Sequence, residues 1–175
     1  MVIKGLENFR NHFKDYNDSY VILGETACNE GFFEADLEFR LTKDVDMVLL
    51  LEAMEETFFQ HFWDYLKAGG YSRWERADGY KTVFRFVEPA SEDYPYMIEL
   101  LAHPQDVKVP ENQKIVRLKP GEGLSSLSAI LLDGAYYQLL LKHRKISASG
   151  LPLVLPEMLL LLKAKAYLNL LEDKK

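Results

Sequence analysis

Apolar and polar positions divide this chain into segments of two periods. Leu6, Phe9, Phe13 and Tyr16 recur at spacings of three and four, which predicts a short amphipathic helix closed by Asn17 and Asp18. Tyr20 to Leu23 is a short apolar strand that stops at Gly24, where a helix opens, and Asn29 to Glu38 holds the end of that helix plus a loop. Arg40 to Leu51 reads Arg-Leu-Thr-Lys-Asp-Val-Asp-Met-Val-Leu-Leu-Leu, a strand with a polar head and an uninterrupted apolar body. Phe58, Phe59, Phe62, Trp63 and Leu66 form a helical stripe ended by Gly69-Gly70. The runs Tyr71 to Arg76 and Tyr80 to Val87 flank Asp78-Gly79, a hairpin signal, and put Lys81 and Arg85 on one strand face. Tyr96 to Leu101 is an apolar strand with one charge, Glu99.

Beyond it, Lys114 to Leu118 predicts a strand and Asp133 to His143 a helix, with Lys142 to Lys145 as a solvated basic helix end. Leu151 to Leu162 is a core segment, and Pro156 begins a helix running to Leu171. Its pattern still runs at the last residues, which predicts a longer natural protein or a trimmed one. These segments predict one α+β (α/β) domain over 1–175. It has a mixed sheet with helices packed mainly on one face, a core over about 18–105, and a C-terminal strand and helix extension over about 106–175.

With 175 residues, 48% of them hydrophobic, one domain can bury a real core. The 21 basic and 27 acidic residues give a net charge of -6, which argues against a nucleic-acid binder held mainly by a broad basic surface and leaves a local basic patch open. Cys28 is the single cysteine, so no internal disulfide forms, and the N-terminus lacks the apolar core of a signal peptide. The apolar stretch at 151–162 is too short for a bilayer and holds Pro152 and Pro156. A cytoplasmic protein without a membrane segment is expected.

Asp44 and Asp46 stand two apart on one strand, so they face the same side with Cα atoms roughly 7 Å apart, within reach of one hard cation. Such a pair repels by roughly 4 kcal/mol at about 4 Å and a dielectric of ~20 unless a cation or proton intervenes. Glu99, in the middle of an apolar strand, either pairs with a basic side chain or ligates a metal. His103 shares its face, but His12, His61 and His143 show no ligand spacing around it, which argues against zinc.

Gly-x-Thr-Ala at Gly24 to Ala27, Arg-x-Thr-Lys-Asp-x-Asp at Arg40 to Asp46, and the later lone carboxylate Glu99 together resemble the DNA-polymerase-β-type nucleotidyltransferase superfamily, most closely its AbiEii-type branch of toxin and abortive-infection proteins. The resemblance covers about 20–102, and Pro156 to Leu168 is similar to a late helix of that branch. It implies a minimal nucleotidyltransferase fold and transfer of a nucleoside monophosphate from an NTP to a hydroxyl of RNA, a protein or a small molecule. Asp44 and Asp46 would hold Mg2+ (or Mn2+), and Glu99 would share a metal and help activate the hydroxyl. Gly24 and Thr26 would line the phosphates. Arg40, Lys43 and Lys163 would neutralise charge, although Lys43 alternates to the strand face opposite the two aspartates. An antitoxin protein is a further partner that the resemblance implies. Glu25 departs from the pattern, because the family carries glycine or serine there and a carboxylate beside a triphosphate is unfavourable. A non-catalytic binding or interaction module of the same fold is therefore the alternative.

Overall fold

The computed structural model describes residues 3–37, 44–49, 56–77, 82–102, 115–117 and 134–172. Five α-helices lie among them: α1 (Leu6–Phe13), α2 (Gly24–Glu34), α3 (Glu56–Ala68), α4 (Gly134–Lys142) and α5 (Pro156–Glu172). The strands are β1 (Tyr20–Leu23), β2 (Asp44–Leu49), β3 (Arg73–Ala77), β4 (Thr82–Val87), β5 (Met97–Ala102), β6 (Ile115–Arg117), β7 (Arg144–Ile146) and β8 (Pro152–Val154). They form one mixed sheet in the order β6-β3-β4-β5-β2-β1-β8-β7. The chain is thus α+β, and the β3–β4 hairpin expected around Asp78-Gly79 pairs antiparallel from Arg73↔Val87 to Ala77↔Val83.

Alternation along the strands sorts the sheet into two unlike faces. Tyr20, Ile22, Val45, Met47, Phe84, Phe86, Ile98 and Leu100 share one face through the strand registers, and all are buried. Helices α1 and α3 cover that face with aromatic rings. Phe62 and Trp63 set their ring centroids 5.6 and 6.0 Å from Phe86, and Phe9 and Phe58 lie 5.9 and 6.4 Å from Tyr20. Edge-on and offset contacts of this kind add to the area buried. The other face carries Glu99 and Arg85 in mid-sheet, so the apolar face is where packing fixes the strands and the opposite face is where chemistry is placed.

The basic cluster Lys142 to Lys145 departs from its expected role. Helix α4 ends at Lys142, and Arg144–Ile146 turns into β7, the outermost strand, paired antiparallel with β8. Charged side chains suit such an edge because they discourage further pairing. Lys145 and the Ala148 N–H both donate to Glu34, and the Ser149 hydroxyl donates to Glu30, which ties the β7–β8 hairpin to the last turns of α2. β8 itself pairs parallel with β1 through Ile22↔Leu153, so the expected core segment at 151–162 begins as a strand before Pro156 opens α5. Among the described residues no helix is long and apolar enough to cross a membrane.

Candidate functional site at the ends of β1, β2 and β5

β1 ends on Leu23 in extended geometry, and Gly24 then takes φ 64, the left-handed region open to glycine, to start α2 directly. Leu23, at the N-cap position, offers no side-chain cap to the first-turn backbone N–H groups. Thr26 is fully buried and its hydroxyl donates to the Asp44 carbonyl at 2.5 Å. That bond joins the Gly-x-Thr turn to the head of the Asp-x-Asp strand, two segments 18 residues apart. Glu25 is half-buried in the same first turn.

β2 lies between β1, antiparallel to it, and β5, parallel to it. In the register Asp46 stands opposite Leu23 on one side and opposite Glu99 on the other, and Asp44 stands opposite Met97. Adjacent strands run about 4.8 Å apart, so the backbone positions of Gly24, Asp46 and Glu99 are close neighbours. The three carboxylate positions converge at the ends of central strands, not at a lateral edge of the sheet. Asp44 is half-buried; of Asp46 the backbone is described and the side chain is not.

Glu99 is buried and paired. Arg85, its cross-strand neighbour on β4, donates from Nε at 2.8 Å and from Nη2 at 2.5 Å, both to Glu99 Oε1. The Arg85 side chain is itself only 16% exposed, so this is an interior ion pair. Of the two roles open to Glu99 in the sequence, pairing with a basic residue is the one present. Both bonds fall on one oxygen, so Oε2 is the oxygen that Arg85 leaves to other partners. The donors at these positions are carboxylate oxygens, the chemistry that magnesium takes. Among the described side chains no three of His, Cys, Asp and Glu gather in a metal-holding group.

Arg40 and Lys43 lie outside the described residues, as does His103. Lys163 is exposed on α5, at the rim of a groove between α2 and α5 whose floor includes Cys28 and Leu159. Burial pushes the Cys28 thiol up, and the ammonium of Lys163 offsets part of that, so Lys163 works along the second turn of α2. Two features of the site were not assigned in the sequence. The Arg85–Glu99 pair was accessible to it, since the Asp-Gly hairpin fixes β4 and alternation puts Arg85 on a known face. The Thr26 bond to a main-chain carbonyl has no sequence signal beyond the threonine itself.

Comparison of the chain with protein-family models, with curated proteins and with solved structures finds no match.

Proposed function

We propose that the ends of β1, β2 and β5 bind a magnesium nucleoside triphosphate, and that the protein transfers the nucleoside monophosphate to a hydroxyl acceptor. The observation that carries this reading is the register, which sets a left-handed glycine turn at a helix start on one side of Asp46 and a buried carboxylate on the other. Helix starts favour phosphate because their backbone N–H groups are unsatisfied and the helix dipole adds positive charge. Asp44 and Asp46 are the residues that would hold the ion, with Glu99 Oε2 as the third donor. A bound metal would supply charge neutralisation on the triphosphate and on the attacking and leaving oxygens. The chain supplies position: Thr26 holds the head of β2 against the phosphate turn, Arg85 fixes the rotamer of Glu99, and Lys163 adds a cation on the α5 side. An AbiEii-like toxin-type transferase, with an antitoxin as its partner, is the most specific form of this proposal.

A second reading is supported by one pair of observations. Arg85 already neutralises Glu99, and Glu25 brings a negative charge into the turn that would receive phosphate. On this reading the fold is a non-catalytic module that binds a partner. The two readings part in a transfer assay with magnesium, each α-phosphorus-labelled NTP, and RNA or the protein itself as acceptor. Label attached by the wild type and lost in Asp46→Asn supports the enzyme. Nucleotide binding without any transfer supports the module.

A further inference from the structure

Helix α5 is apolar on two opposite sides. Met158, Leu159 and Leu162 are buried against the domain, yet Leu160, Leu161, Tyr167 and Leu168 are 72%, 43%, 63% and 54% exposed. At about 100° per residue these four, with exposed Ala164 among them, form one stripe on the side directly away from the core. A helix that is apolar all round is ordinarily covered on every side, and isolated surface leucines would not align in this way. Leu160 also lines the α2–α5 groove, a cavity of about 370 Å³ whose other wall carries the exposed side chains of Phe32 and Leu37. Groove and stripe are therefore one continuous apolar surface.

Its borders say what fits. Lys163 flanks the stripe on the groove side and Lys165 on the other, so a cation stands along each border of its central turns, with Glu157 and Glu172 at the two ends of the helix. A second copy of this chain crossing antiparallel about Ala164 would set each lysine against its own counterpart, and a parallel crossing would set Lys163 against Lys165 of that copy. Like charges opposed in this way destabilise the contact. An amphipathic helix with carboxylates beside its apolar stripe meets both lysines favourably, in the helix-in-groove mode read as anchors at i, i+3, i+4 and i+7. We propose that the outer face of α5, with the groove it shares with α2, is a docking surface for an acidic amphipathic helix of a partner protein.

The test uses the full chain and fluorescein-labelled helical peptides of about 18 residues, followed by fluorescence anisotropy at low and moderate salt. One peptide carries a leucine stripe flanked by glutamates, the second the same stripe flanked by lysines, and the third the first composition with its leucines scattered round the helix. The glutamate peptide is expected to bind at least tenfold more tightly than the lysine peptide, with the difference shrinking as salt rises. The scattered peptide is expected not to bind. Leu168→Asp should weaken the glutamate peptide by tenfold or more, and Lys165→Glu should move the preference towards the lysine peptide. Both positions are on the surface stripe or its border, so circular dichroism should show both variants folded. Equal binding of the first two peptides, or binding of none, overturns the proposal. So does a dimer in light scattering that Leu168→Asp dissolves, because the face would then belong to a second copy.

Discussion

Arg85 and Glu99 are the residues on which the site balances. Removing one member of an interior ion pair leaves an uncompensated charge and typically costs 3 to 5 kcal/mol, whereas replacing both by apolar groups is often neutral. Arg85→Met is therefore expected to lower unfolding free energy by about 3 kcal/mol in urea titrations, and Arg85→Met with Glu99→Leu to recover most of it. Equal losses in the single and double variants would contradict the pairing. Tyr65 is a different case: its hydroxyl is buried with no hydrogen-bond partner among the described residues, and burial pushes its ionisation well above the usual phenol range. Tyr65→Phe should leave stability unchanged or raise it by about 1 kcal/mol, since an unsatisfied polar atom is removed from a ring that stays packed. A loss of several kcal/mol in the same urea titration would mean that the hydroxyl is bonded.

Two junctions between elements carry consequences that no single contact shows. Gly5, with φ 76, precedes α1, and a Cβ there would lie 2.1 Å from the Tyr94 carbonyl carbon and 2.2 Å from the Pro95 nitrogen. Both are main-chain atoms and cannot step aside, so Gly5→Ala should cost about 3 kcal/mol. Gly150, with φ 90 and nothing within 4 Å of its would-be Cβ, provides the comparison. Gly150→Ala should cost only the left-handed strain of about 1 kcal/mol. Thermal unfolding of the two variants separates clash from strain.

The α1–α3 junction should respond to pH. His12 and His61 stack with ring centroids 3.8 Å apart, and each Nε2–H donates to the other's carbonyl, at 3.1 and 2.7 Å. Burial lowers the His12 pKa from its usual value near 6.5, with the His61 ring adding to this and the His61 carbonyl and Asp64 opposing it. The unfolded chain therefore binds a proton that the folded chain resists. The stability that neutral His12 contributes is full above about pH 6.5 and is lost as pH falls from there towards its folded value. Unfolding between pH 7.5 and 5.5 should show the wild type losing more stability on acidification than His12→Gln. Parallel pH profiles would contradict it.

Much of this layout was legible at the element scale. Short apolar runs and the Asp-Gly hairpin signal gave β1 to β6, the aromatic stripe gave α3, and Pro156 gave the start of α5. What escaped was β7 and β8: β7 reads as a run of basic residues and β8 begins on a proline, and their places are fixed by pairing with each other and with β1 and by the Glu30 and Glu34 bonds from α2. The carboxylate positions could be read from Asp-x-Asp and from the lone charge in β5, but their registration across β2 and β5 is a property of the sheet.

Across the whole molecule, an aromatic layer under one face of the sheet holds the central strands, and the opposite face brings Leu23, which leads into the Gly24 turn, Asp46 and Glu99 to adjoining strand positions. The proposed function makes that convergence a nucleotide site, and binding of a ligand to the native state must raise stability in proportion to its occupancy. Thermal unfolding in the presence of magnesium and each nucleoside triphosphate, for the wild type and for Asp46→Asn, is the most direct measurement. A triphosphate at 100 times its dissociation constant should stabilise the wild type by about 2.7 kcal/mol, only with magnesium present, and Asp46→Asn should lose that increment. No stabilisation by any triphosphate, or an equal increment in Asp46→Asn, would contradict the account.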